Sequence, residues 1–174
     1  DVVDFSVLVE SEAERQRPLA QRQGSTIRVD VVGDDVTATV DPRRIRRVLR
    51  NLLVNAIEHG EGKDVDVTIA ADKRSLSVTV RDYGVGFAPS QSVQVFERFW
   101  RADPSRNRVF GGSGLGLAIS LEDARLHEGW LSAWGRPGMG AQFRLTVPRE
   151  RGRSITTSPL PLIPTDVIRE KGSS

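Results

Sequence analysis

The chain has 174 residues, enough for one domain with a full core, and carries 25 Lys and Arg against 23 Asp and Glu with no cysteine. The balanced charge gives no general case for nucleic-acid binding, and the lack of cysteine excludes disulfides and thiolate metal sites while permitting a reducing compartment. No apolar run approaches the ~18 residues that span a bilayer, so the piece is expected to be soluble.

The opening at Asp1, in mid-pattern and without methionine, points to a segment of a longer protein. From Asp4 to Gln23 the spacing of Phe5, Leu8, Val9 and Leu19 predicts a helix, bent near Pro18 and stopped at Gly24. Two alternating runs, Thr26 to Val32 and Val36 to Val40, flank Gly33-Asp34-Asp35 and read as a hairpin. Asp41-Pro42 is an N-cap with proline at the first helical position, opening a helix to about His59. Val65 to Ala71 and Ser75 to Asp82 form a second hairpin. The long stretch that follows, residues 88–113, has little regular pattern beyond the amphipathic VQVFERFW, and a loop of that length in a compact domain suggests a functional lid. GGSGLGLAIS closes it and leads into a helix to about His127, after which GWLSAWG and AQFRLTVP supply two last strands. Residues 149–174 are polar and proline-bearing without periodicity, the composition of a flexible tail. This order predicts an α+β fold, a two-layer α/β sandwich with a mixed, mostly antiparallel sheet and three main helices on one face.

On the helix opened by Pro42, residues about 100° apart place Ile45, Leu49, Leu52, Leu53 and Ala56 on one side. Arg44, Arg47, Asn51, Asn55 and Glu58 make a second stripe, which for the arginines reads most simply as a solvated face. The two asparagines are harder to dismiss, because Asn is a mediocre helix former. An amide oxygen at Asn55 could complete an Mg²⁺ shell without repelling a triphosphate.

Asp82-Tyr83-Gly84-Val85-Gly86 ends a strand. A carboxylate there can accept from the exocyclic amine of adenine while glycines let the ring lie against the backbone; an ordinary Asp-plus-glycine turn is the other reading. The stretch GGSGLGLAIS fails both the dinucleotide fingerprint, with Leu117 where a third glycine belongs, and the Walker loop, with no lysine after Gly116. Glycine N–H groups at the start of a helix still suit an anion. Between these motifs lie Arg98, Arg101, Arg106 and Arg108, interleaved with Phe96, Phe99 and Trp100: cations that can fork to phosphate oxygens and apolar anchors for a closing loop, or else plain solvated charge.

Four segments together carry a family resemblance. RNLLVNAIEH resembles the N box, RDYGVGF the G1 box, FERFWRADPSR the F box and GGSGLGLAIS the G2 box of the histidine-kinase ATP-binding domain, within the gyrase, Hsp90 and MutL ATPase superfamily, in that family's order and spacing. The run LAISLEDARLHEGWLSAWG is further similar to osmosensory sensor kinases of actinobacteria. The resemblance implies a Bergerat-type sandwich over residues 1–148, in which 1–25 is the helix after a linker from a dimerisation domain outside this chain. It implies ATP and Mg²⁺ as ligands, with Asn55 on the metal and Asn51 beside it at the phosphates. It makes Asp82 the adenine reader, with Gly84 and Gly86 shaping the pocket. Gly112, Ser113, Gly114, Leu115 and Gly116 become hinge and phosphate contacts of an ATP lid over 88–113, and Arg98 and Arg101 phosphate contacts. Gly138 and Gly140 look like the family's last glycine turn, better read as structural.

Two departures stand out. Glu58 and His59 replace the common Lys-Tyr, removing a phosphate-facing cation and leaving His59 either to stack on adenine or to stand as an exposed histidine. Asn51 stands where hydrolysing relatives carry a glutamate base, and an amide cannot take a proton. The site is thus expected to hold ATP for transfer, with Asn51, Asn55, Arg98 and Arg101 as the transfer machinery. The implied acceptor is a histidine on a separate dimerisation domain, which passes the phosphoryl group to a response-regulator aspartate. Neither His59 nor His127 lies in an acceptor setting, so a protein-histidine kinase reading needs a partner domain. It also implies a membrane-borne parent that is homodimeric where this piece is monomeric. The alternatives are a non-catalytic nucleotide-sensing module and an anti-sigma-factor type serine kinase, against which the F box argues.

Overall fold

The computed structural model describes residues 1–98, 100 and 115–172, with the backbone alone for 169–172. A short strand β1 (Val2–Asp4) runs into helix α1 (Phe5–Arg22), where Asp4 caps the first turn by accepting from the Ser6 N–H at 2.9 Å. Strands β2 (Ile27–Val32) and β3 (Thr37–Thr39) follow. Helix α2 (Pro42–His59) is capped by Asp41, whose carboxylate accepts from the Arg43 N–H at 3.0 Å. Then come β4 (Val65–Ala71), β5 (Ser75–Asp82), α3 (Gly116–Leu126), β6 (Trp130–Arg136), β7 (Gly140–Pro148) and α4 (Thr165–Gly172).

Five strands form one mixed sheet in the order β2-β4-β5-β7-β6, with β2 parallel to β4 and the remaining pairs antiparallel. Period-two alternation decides which face each side chain takes. Val65, Val67 and Ile69 on β4, Leu76, Val78 and Val80 on β5, and Phe143, Leu145 and Val147 on β7 are buried in one cluster with the apolar faces of the helices. From α2 that cluster takes Ile45, Leu49, Leu52, Leu53 and Ala56, the stripe expected from sequence.

Two expectations are corrected. The runs around Gly33 do not pair as a hairpin: β2 lies parallel to β4, and β3 pairs antiparallel with β1, Val3 opposite Ala38. Alternation identifies a strand without choosing its partner. Here the N-terminal Val2–Asp4, too short to stand out by pattern, takes the place beside β3.

Residues 149–172 are also not a loose tail. They cross the polar face of the sheet, opposite the helices, where Ser77 Oγ meets Ser158 Oγ at 2.5 Å and Arg144 Nη1 donates to Leu160 O at 2.9 Å. Gln142 Nε2 donates to Leu162 O at 2.9 Å, and Ile155 and Val167 are buried. The polar composition that suggested disorder instead matches the outward Ser, Thr, Gln and Arg side chains of β5 and β7, which give the segment hydrogen-bond partners.

Candidate functional site

The last two turns of α2, the end of β5 and the start of α3 meet along one edge of the helical layer. Asp82, the last residue of β5, has a carboxylate buried to 1 % exposure that accepts the Gly84 N–H at 3.0 Å. Burial pushes its pKa up to about 6; the Gly84 hydrogen bond, the neighbouring Arg81 charge and the Ala141 amide pull in the other direction and do not offset it. A carboxyl so held lacks a strong partner and suits a hydrogen-bond donor brought by a ligand.

The glycines around Asp82 are required by close backbone approach. A Cβ on Gly84 would stand 1.7 Å from His59 O, and the Val85 N–H donates to that same carbonyl at 3.2 Å. Gly86, at φ +66°, passes so near the turn after β6 that a Cβ would lie 2.0 Å from Arg136 O. The Asp82 turn is thus clamped between the C-terminus of α2 and the β6–β7 turn, with Gly140 pressed against Asp82 O. This gives Gly140 a bracing role within its turn, in keeping with the structural reading.

Asn55 and His59 lie on the last two turns of α2, both half-buried. The Asn55 amide has no hydrogen-bond partner among the described residues, whereas His59 is engaged. Asn51, one turn earlier, is committed: its Nδ2 donates to Gly116 O at 2.9 Å and to Ser120 Oγ at 3.0 Å. It therefore ties α2 to the first turn of α3, where the glycine-rich stretch enters the helix at Leu115 and Gly116. The stretch that follows the Asp82 turn is anchored by aromatics. Phe87 stacks edge-on to Trp100 and Phe143, with centroids 6.3 and 6.4 Å apart, and Phe96 meets Phe143 at 5.8 Å. Arg98 is exposed just beyond this anchor. Phe99, Arg101, Arg106, Arg108, Gly112, Ser113 and Gly114 lie outside the described residues.

Sequence reasoning overlooked what the arginine stripe does. Arg47 pairs with Asp123 of α3 through two hydrogen bonds, at 2.7 and 2.8 Å, and Arg44 joins at 3.0 Å, so the stripe is tied to a neighbouring helix while both arginines stay partly exposed. Burial alone would raise Asp123, but the hydrogen bonds from Arg47 and Arg44 outweigh it and hold the carboxyl below its ordinary range. An acidic residue at the apolar spacing of α3 was the available signal. His127 ends that helix with Nε2 accepting the Asp41 N–H at 3.0 Å and Nδ1 against Asp123 O, a packing role.

Among the described residues no cluster of three or more His, Cys, Asp or Glu could hold a metal ion. The donor set on offer is the neutral Asn55 amide, which fits Mg²⁺ only where a phosphate ligand brings the remaining oxygens. A separate cavity of about 340 Å³ lies on the polar face of the sheet, lined by Arg28, Asp66, Arg81, Tyr83, Gln142 and Asp166 among others, away from Asp82's carboxylate and the asparagines. No described helix is long and apolar enough to cross a membrane.

Comparison with known proteins bears on this geometry. Residues 40–151 match the family described as histidine kinase-, DNA gyrase B- and HSP90-like ATPase. Over 164 residues, 94 % of the chain, the sequence is 54 % identical to the sensor histidine kinase MtrB of Mycobacterium leprae, and it spans 29 % of that protein's length. Solved structures share the fold. The mycobacterial sensor histidine kinase MprB superposes with a TM-score of 0.74 at 27 % identity, covering 87 % of this chain and 99 % of that one. Full-length ShkA in complex with AMPPNP superposes with a TM-score of 0.77 at 30 % identity, covering 88 % of this chain and 32 % of that one.

Proposed function

The chain belongs to the histidine kinase-, DNA gyrase B- and HSP90-like ATPase family, and from that premise we propose that it binds Mg-ATP and donates the γ-phosphoryl group to a histidine on a separate dimerisation domain of a sensor kinase. The observation that carries this reading is the buried Asp82 carboxylate, poorly partnered, at the end of a strand whose following glycines are clamped to the end of the Asn55-bearing helix. An adenine amine fits that carboxylate, and the phosphates then extend toward Asn55 and the Gly116 end of α3.

Each residue has a bounded task. Asp82 accepts from the exocyclic amine and rejects guanine, whose corresponding group is a carbonyl. Gly84 and Gly86 keep the backbone low enough for the purine ring. The Asn55 amide oxygen would hold Mg²⁺ together with phosphate oxygens, and the ion would supply neutralisation of the charge that develops in transfer. Asn51 holds Gly116, the first residue of α3, in register with α2. Arg98 and Arg101 would answer the γ-phosphate charge. Transfer forms a bond between the acceptor imidazole nitrogen and Pγ, breaks the bond from Pγ to the β,γ-bridging oxygen, and releases ADP. Asn51 cannot serve as a base for water and is already occupied, which favours transfer over hydrolysis.

The likeness to MtrB supports a wider proposal: a homodimeric parent at the cell membrane that senses osmotic change and passes the phosphoryl group to a response-regulator aspartate. Glu58, half-buried where a cation is common, favours a second reading as a nucleotide-sensing module without transfer. Titration with a fluorescent ATP analogue tests the site itself. Binding is expected to need Mg²⁺ and to weaken by about tenfold or more in Asn55→Ala; absence of binding, or an unchanged Asn55→Ala, would contradict the assignment.

A further inference from the structure

The polar face of the sheet, opposite the nucleotide edge's helices, carries one buried charge that the mechanism above does not use. Arg81 is 4 % exposed and stands immediately before Asp82. Its guanidinium is divided between two tasks. On one side Nε and Nη2 fork onto the Asp166 carboxylate of α4, at 3.2 and 2.9 Å. On the other, Nη1 donates to Asp82 O at 2.6 Å and to Met139 O at 2.8 Å. The ring of Tyr83 lies 4.4 Å from its Cζ and that of Trp134 5.3 Å, so aromatic faces flank the cation.

Those two carbonyls belong to the backbone that bears Asp82 and to the turn that braces it. Asp82 supplies the carboxylate, and Met139 sits in the β6–β7 turn that is also held by the Gly138 N–H donating to Val85 O at 2.9 Å. A fork whose donors are fixed in a plane transmits the position of one end to the other, because guanidinium geometry leaves little play once four of its five N–H donors are engaged. The position of α4 is itself fixed by the C-terminal segment, through Ser158 on Ser77 and Thr146 and through Leu160 and Leu162 carbonyls on Arg144 and Gln142.

We infer that Arg81 is a positioning residue for adenine recognition and that the C-terminal segment, through Asp166, sets its position from the far side of the sheet. The inference rests on the ATP-binding reading. Asp166 never meets the nucleotide; it holds the guanidinium, which holds the backbone from which the Asp82 carboxylate projects. Asp166 is itself partly exposed, so its replacement acts through Arg81, whose buried charge it leaves without a carboxylate. A small displacement of Asp82 is felt chiefly as lost discrimination, since the adenine amine needs its acceptor in place while phosphate contacts do not.

The test uses the 174-residue chain, with ADP and GDP competing against a fluorescent ATP analogue, for the wild type and for Asp166→Ala, Asp166→Glu and Ser158→Ala. Asp166→Ala is expected to weaken ADP by about tenfold with a smaller effect on GDP, narrowing the preference between them. Asp166→Glu is expected to restore most of it. Ser158→Ala, which removes one of several contacts that fix the segment and leaves the Asp166 carboxylate on Arg81, is expected to narrow the preference less than Asp166→Ala. Wild-type preference in Asp166→Ala, or an equal loss in Ser158→Ala, overturns the inference while leaving the ATP-binding reading intact. A wild-type chain that binds neither nucleotide overturns both.

Discussion

At the scale of single residues, Asp82 sets the pH behaviour of the site. Its folded pKa, about 6, stands above the ordinary 3.8 because burial disfavours the charged form. The sign follows: in the free chain this group costs stability as pH rises from the ordinary value through about 6, and a donor to the carboxylate recovers that cost. Adenine nucleotide is therefore expected to bind more weakly as pH falls below about 6, with proton release on binding near that pH. Calorimetry in buffers of different ionisation enthalpy measures this, and a flat profile would assign the shift to structure alone. Gly84→Ala is expected to abolish nucleotide binding and lower stability by about 2 kcal/mol or more, since its Cβ meets the His59 carbonyl and backbone cannot yield as a side chain can; chemical denaturation alongside binding separates the two effects. Asp82 was legible in sequence because its turn glycines are contiguous with it. Arg81 was not, since its partner Asp166 is 85 positions away and nothing local marks the pair.

At the scale of elements, α2 does two jobs with two faces. The apolar face was readable from spacing and enters the core as expected. The other face read as solvated arginine plus asparagine, yet each member except the last turn is matched by α3: Arg44 and Arg47 by Asp123, and Asn51 by Gly116 and Ser120. Period gives the angle of a face without naming what covers it. Asp123→Ala is expected to cost about 1–2 kcal/mol, toward the low end for a buried carboxylate because Arg44 and Arg47 stay 43 % and 41 % exposed and can rehydrate. The clamp's contribution is present above the ordinary carboxylate pKa and is lost as pH falls through the depressed folded value. Urea unfolding of wild type and variant at pH 7 and pH 3 tests both statements: the difference between them is expected to shrink in acid. The supposed hairpin around Gly33 failed at the same level. Turn residues and alternation were present, but partner choice depended on β1 and on a parallel crossover through α2, both non-local.

At the scale of the whole molecule, the sheet has two covered faces with different chemistry. Helices pack on the apolar side, and the C-terminal segment satisfies the polar side with side-chain and carbonyl hydrogen bonds. Composition alone could not separate that segment from a disordered tail, because the polar residues that solvate a loose chain are the same ones that pair with an outward sheet face. The candidate nucleotide edge lies where the end of β5, the end of α2 and the start of α3 meet. On the proposed function, ATP bound there is used for transfer and not hydrolysis. The direct measurement incubates the chain with γ-labelled ATP, Mg²⁺ and a separate histidine-bearing dimerisation domain, and follows label on the second chain together with free phosphate. The account predicts acid-labile label on that domain, lost in Asn55→Ala and in Asp82→Asn, with little free phosphate in its absence. Bound nucleotide with no label transferred, or phosphate released at the same rate with and without the acceptor, would contradict it.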